Sequence, residues 1–155
     1  MSFPKKYVPP QLSSKDKQLQ LRMLNKSRKL YKKHQYYTRS KVNTFQTKPS
    51  RHVLNARRMY HVDHIVPSEE LAMKTGCPVS ALQAIVKKGE GAYYSSGSRP
   101  NQTPQSWGYA RLASAITAGN AAIVDYHILK ECNPRKKAFQ LATQKLKKRS
   151  FIMGR

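Results

Sequence analysis

The stretch Lys87–Leu112, KKGEGAYYSSGSRPNQTPQSWGYARL, decides how the rest of the chain is read. Its glycines Gly89, Gly91 and Gly97 and the pair Arg99-Pro100 predict a long irregular loop, because glycine admits positive φ and proline holds the residue before it extended. Thr103-Pro104 predicts a helix start: the threonine can cap free N–H groups while the proline, already at helical φ, takes the first helical position. That helix is expected to run to about Thr117. It carries Trp107, the single tryptophan, and a row of small residues including Gly108, Ala110, Ala113 and Ala118 that would let another backbone come close, before Gly119-Asn120 ends it. Tyr93, Tyr94 and Trp107 thus bracket a polar, glycine-bent loop with Arg99 at its centre.

Around this stretch the charge is uneven. The 155 residues carry a formal net charge of +23, a length that fits one domain. Residues 1–60 hold 16 Lys/Arg against one acid, residues 61–131 hold 6 against 6, and residues 132–155 hold 8 against none. A neutral centre therefore sits between two cationic arms, and self-repulsion at this density makes a polyanion or an acidic protein surface the natural complement. No apolar run approaches the roughly 20 residues of a membrane span, and no secretory signal follows Phe3-Pro4-Lys5-Lys6. Cys77 and Cys132 predict no disulfide framework; buried thiols in a reducing compartment are expected.

Along the chain, residues 1–12, with Pro4, Pro9 and Pro10, read as an extended arm with Phe3 and Tyr7 as anchors. Ser13 followed by Asp16 resembles a capping box opening a helix to about Tyr37. Leu12, Leu19, Met23 and Leu30 form its narrow apolar stripe, and lysines and arginines cover the rest. Residues 38–50 lack periodicity and read as a linker. A short helix is expected over Arg51–Tyr60, then a brief extended segment at His61–Val66. Two compact helices follow, one capped by Ser68 and closed by Gly76, the other introduced by Pro78 and Ser80 and ended by Gly89. Ala121–Leu129 reads as a strand or as a helix capped by Asp125. Asn133-Pro134 opens a last helix with a basic tail. The expected fold class is mainly α: a small helical core, 61–131, with a helix-turn-helix-like pair and a long ordered loop, flanked by extended basic arms at 1–60 and 132–155.

The two-helix unit over Leu71–Ile85 has helix-turn-helix spacing, and in a DNA reader Ser80, Ala81 and Gln83 would meet base edges. Its second helix has no arginine, so a structural hairpin is the competing reading. The arms, interleaved with Tyr31, Tyr36 and Tyr37, suit phosphate contact with some stacking. Candidate contacts to nucleic acid or an acidic partner are Lys5 and Lys6 in the N-terminal arm; Arg22, Lys26, Arg28, Lys29, Lys32 and Lys33 on the first helix; Arg57 and Arg58; and Lys147, Lys148 and Arg149 in the tail. His61, His64, Cys77 and Cys132 lack the paired short spacings of a structural zinc site, so no metal or cofactor is expected. Tyr94, Ser95, Ser96, Arg99, Glu90 and Asp125 form no nucleophile, base and orienter set, so neither an enzyme nor a small-molecule substrate is expected.

The motif formed by Gly89-x-Gly91-Ala92-Tyr93, Ser96-Gly97-Ser98-Arg99-Pro100, Gln102-Thr103-Pro104 and Ser106-Trp107-Gly108-x-Ala110-Arg111-Leu112 resembles a small domain of unassigned function. That domain occurs in large DNA viruses of algae and amoebae, with relatives in tailed phages. The resemblance covers about residues 67–130, with the basic arms outside it, and brings context without catalytic residues. It implies a structural component of a virion, a minor capsid or inner-shell protein on the capsid's inner face, passing through host cytoplasm or nucleus during assembly. In such a role the basic arms would bind neighbouring capsid proteins, packaged double-stranded DNA, or both. A nucleoid-like or regulatory DNA-binding protein is the second expectation, and a ribosomal-type RNA-binding protein the third.

Overall fold

Short polar side chains set where the helices begin. Ser13 accepts the Asp16 amide and opens α1, Ser14–Lys32; Ser50 opens α2, Arg51–Tyr60, and Ser68 opens α3, Glu69–Thr75. In each case a side-chain oxygen takes an amide that the first helical turn leaves without a partner. The structure, a computed structural model, describes residues 3–153, with side chains through Ser150. The remaining helices are α4 Val79–Ser95, α5 Pro104–Ile116, α6 Asn120–Val124, α7 Tyr126–Leu129 and α8 Lys137–Met153. The chain is mainly α, and among the described residues there is no strand. The ambiguous 121–129 segment is helical, and 61–66 is irregular. No described helix is long and apolar enough to cross a membrane.

Packing divides the chain into Met1–Lys48 with Glu90–Trp107, and Pro49–Gly89 with Gly108–Arg155. The charge boundaries at residues 60 and 131 are therefore not packing boundaries. The first unit carries fourteen Lys/Arg against two acids, Asp16 and Glu90.

The second unit holds the larger apolar core, built on Leu71, Leu82, Ile85, Leu112, Ile116 and Leu129. Contrary to expectation, α4 does not end at Gly89. It runs on through Gly89 and Gly91, which are helical rather than loop residues. Gly89 is there for space: a Cβ at this position would lie 2.6 Å from the Gly108 Cα, so α4 and α5 meet backbone to backbone. Of the small residues expected to allow a close approach, Gly108 does so here. A Cβ on Gly91 meets nothing within 4 Å. Gly89→Ala should therefore destabilise by about 3 kcal/mol through overpacking against backbone, whereas Gly91→Ala should stabilise by about 0.5–1 kcal/mol by restricting the unfolded chain. Denaturant midpoints moving in opposite directions check the pair.

Cys77 and Cys132 are joined by a disulfide, which corrects the expectation of free thiols. It ties the Gly76 turn, at φ +80°, to the end of α7, where the Asn133 amide donates to the Gly76 carbonyl at 2.8 Å. Fifty-five residues separate the two cysteines, and neither has a local partner motif that would announce the bond.

In the first unit α1 stops at Lys32, short of Tyr37. His34 adopts φ 60°, its amide donates to the Tyr31 carbonyl, and the Gln35 amide reaches the Leu30 carbonyl. This is a Schellman stop with histidine in the place glycine usually takes. Residues 3–12 form hydrogen-bonded turns rather than a stretched arm, and residues 147–153 continue α8. The 38–48 segment is no loose linker: Arg39 and Val42 are buried, and Val42 joins Leu12 and Met23 in a small core. At its far end the Asp16 carboxylate accepts both the Thr44 hydroxyl and, at 2.9 Å, the Thr44 amide. Those two bonds hold the Asp16 carboxyl below its ordinary pKa. A depressed carboxylate stabilises the fold above the unfolded value, about 4, and the contribution is lost as pH falls through the folded value. Hydrogen-exchange protection of the Thr44 amide should accordingly fall in acid, and in Asp16→Ala, which removes the acceptor, it should be low and independent of pH.

Candidate nucleic-acid interface

Helical periodicity sorts α1 into two faces. Asp16, Gln20, Met23, Leu24 and Ser27 are buried. On the far side Arg22, Lys26 and Lys29, with Lys33 at the C-cap, are spaced three or four residues apart, are all exposed and line, with Asn25 and Leu30, a shallow open depression of ≈ 460 Å³. At 1.5 Å rise per residue the row spans roughly 16 Å. Like charges at this spacing repel one another, and the one acid of the helix, Asp16, points to the buried side. The row is thus a line of positive potential fixed on a rigid element, suited to consecutive phosphates of a polyanion. Lys26 also sits over the Tyr37 ring, with Nζ 4.4 Å from its centroid.

The loop expected between Gly89 and the helix start at Thr103-Pro104 is shorter than its glycines suggest, covering about 96–103 between α4 and α5. Gly97 does require glycine: its φ is +121°, and an added Cβ would sit 2.9 Å from the Leu24 Cδ2. Thr103 and Ser106 cap α5 reciprocally, the Ser106 amide donating to Thr103 Oγ1 at 3.0 Å and the Thr103 amide to Ser106 Oγ at 2.9 Å. Pro104 takes the first helical position, as expected. Trp107 is half-buried, its ring edge-on to Tyr7 with centroids 6.0 Å apart. Pro100 is fully buried and Arg99, placed by sequence at the loop's centre, is exposed.

The arginine that organises this loop is Arg39. It is 7% exposed and, among the described residues, meets no carboxylate. Its Nη1 donates to Ser27 Oγ and to the Tyr93 carbonyl, both at 3.0 Å, and its Nη2 to Ser98 Oγ at 2.8 Å. Its guanidinium lies 3.8 Å from the centroid of the buried Tyr93 ring, and its own amide donates to the Tyr93 hydroxyl at 2.8 Å. Burial lowers the Arg39 pKa, offset in part by the surrounding tyrosines, and burial raises that of Tyr93. Tyr7 is also raised by burial, against the pull of Arg28, Arg39 and Arg99. Arg28 donates twice to the Ser96 carbonyl and lies over the Phe3 ring. Asn101, at φ 63°, accepts the Val42 amide and donates to the Val42 and Phe45 carbonyls.

Of the cations singled out by sequence, Arg22, Lys26, Lys29 and Lys33 come together on one face, with Lys32 exposed on the same helix. Arg28 is turned to the loop. Lys5 and Lys6 are exposed on an N-terminal turn. Arg57 and Arg58 on α2, and Lys147, Lys148 and Arg149 on α8, are exposed residues of the second unit. Ala81, a base reader on the helix-turn-helix reading, is buried at 1% exposure, so it is unable to reach a groove; Ser80 and Gln83 are exposed. Arg111 clasps the buried Asp125 with both carboxylate oxygens, at 2.7 and 2.8 Å. Sequence reasoning missed Arg39, Ser27, Ser98 and Asn101. Their bonds join residues 12 to 59 apart, with no local pattern to reveal them.

Residues 4–132 match the model of a family described as "Family of unknown function (DUF5824)". The matched span takes in α1 and the 38–48 segment as well as the loop-to-helix stretch. No curated protein and no solved structure matches the chain.

Proposed function

We propose, for a chain that belongs to that family of unknown function, a non-enzymatic structural role: a component of the particle of a large DNA virus that grips nucleic-acid phosphates with α1. The observation that carries the binding half is the row Arg22, Lys26, Lys29 and Lys33. These cations stand on one rigid helical face with no acid among them, on a unit whose basic residues outnumber its acids seven to one. Bulk charge alone would predict diffuse attraction, whereas an ordered row sets a track along which a phosphate backbone can lie. The viral setting comes from the resemblance of the Gly89–Leu112 motif. Neighbouring capsid proteins would be met by other surfaces, among them the exposed basic residues of α8.

Neutralising the row in R22Q/K26Q/K29Q/K33Q tests the binding half. The variant should fold as the native protein does, because all four side chains are exposed, and lose nucleic-acid affinity at moderate salt by at least about tenfold. Retained affinity would remove α1 as the interface. Mass spectrometry of purified particles tests the setting: the chain should be present in intact virions, and abundance in infected cells with absence from particles would end the structural role.

A further inference from the structure

We infer that Tyr36, braced by Tyr31 and Tyr94, is a stacking platform for an unpaired nucleobase, so that the polyanion gripped by α1 is single-stranded nucleic acid rather than the double-stranded DNA expected of the basic arms. The inference rests on the reading of α1 as the phosphate-binding face. Tyr36 is 70% exposed, yet its ring is held. The Schellman stop at His34 turns the chain back directly after α1, and the Tyr36 ring comes to rest 4.9 Å from that of Tyr94 and 6.2 Å from that of Tyr31, centroid to centroid. Tyr94 in turn meets the buried Tyr93 edge-on at 5.2 Å, and Tyr93 is pinned by Arg39. An isolated exposed tyrosine is ordinary; one fixed by two neighbouring rings is preorganised to receive a flat partner with little loss of side-chain entropy.

Its position fits the same ligand. Tyr36 follows Lys33, the last cation of the row, by three residues, and the next residue, Tyr37, lies under Lys26 of that row. Tyr31, four residues on from the buried Ser27, stands on the side of α1 away from the row, so a strand whose phosphates follow the row reaches Tyr36 by bending round the C-terminal end of the helix, as a flexible single strand can. There, every base offers a π-face regardless of sequence. A duplex keeps those faces stacked inside and presents only its phosphates and groove edges.

Fluorescence anisotropy with a labelled single strand of about 20 nucleotides and the corresponding duplex tests this, on the full chain. Tyr36→Ala should weaken single-strand binding roughly 5–10-fold, the lower part of the range for losing one stacked base. It should leave duplex binding and the salt dependence unchanged, and Tyr36→Phe should restore single-strand affinity. Equal affinity of wild type and Tyr36→Ala for the single strand, or an equal loss on both ligands, overturns the platform while the phosphate row stands. Undiminished binding of both ligands by R22Q/K26Q/K29Q/K33Q overturns the row itself, and the platform with it.

Discussion

Arg39→Ala should release the 93–101 segment, with a loss of about 3 kcal/mol from the stability of the first unit. The arginine is buried with no carboxylate beside it among the described residues, and it is held by three hydrogen bonds and a ring face. Charged hydrogen bonds of this kind contribute about 1.5–3 kcal/mol each when one partner is removed and the other stays buried. The total falls short of three times that. Ser27 also donates to the Tyr94 carbonyl and Ser98 to the Arg99 carbonyl, so both hydroxyls keep a partner. The Tyr93 carbonyl lies in the last turn of α4, where water entering the space left behind can serve it. Arg39→Lys keeps the charge but loses the planar fork that reaches Ser27, Ser98 and Tyr93 together, so it should recover less than half of the loss. Denaturant titration gives the magnitude, and faster amide exchange over residues 94–101 locates it.

Asp125→Ala should be comparably damaging to the second unit, also by about 3 kcal/mol. Asp125 is fully buried, receives the Arg111 fork on both oxygens, and has the Lys88 ammonium at 3.9 Å, itself bonded to His127 at 3.1 Å. Removing one partner of a buried pair strands the other, at about 3–5 kcal/mol. The Arg111 side chain is 22% exposed and that of Lys88 44%, so water screens the stranded cations and the lower end applies. The same logic gives a sharper expectation. Asp125→Leu combined with Arg111→Met, which removes both charges and keeps apolar volume, should be less destabilised than Asp125→Ala alone. A thermal denaturation series of the two variants and the native protein measures this.

Much of the helical framework was legible because its signals are local. Ser50, Ser68, Gly76 and the Thr103-Pro104 pair each act within one turn, and the helices they bound begin or end where these residues place them. Failures arose where a residue serves a distant neighbour. Gly89 read as loop because its requirement is the approach of α5 at Gly108 rather than a turn. The end of α1 was hidden because histidine fills a position that glycine usually marks. The cysteines carried no spacing motif and are brought together by chain folding.

The candidate interface divides the same way. The cationic row follows from helical period alone and could be read directly. The latch under it could not: Arg39 lies in a segment without periodicity, and its partners Tyr93 and Ser98 are more than 50 residues away. Arg99 drew attention because it sits inside a dense motif, while the structurally employed arginine lay outside it. The tyrosines at 31 and 36 were visible, but the turn that brings them together was not.

The account stands or falls on whether four cations of α1 contact phosphates. The measurement that asks this most directly is the slope of log affinity against log salt concentration for the native protein and for R22Q/K26Q/K29Q/K33Q on the same single strand. Four lost phosphate contacts should make the variant's slope shallower by about 3. Parallel lines, with the two proteins releasing the same number of counterions, would show that nucleic acid does not lie along this helix.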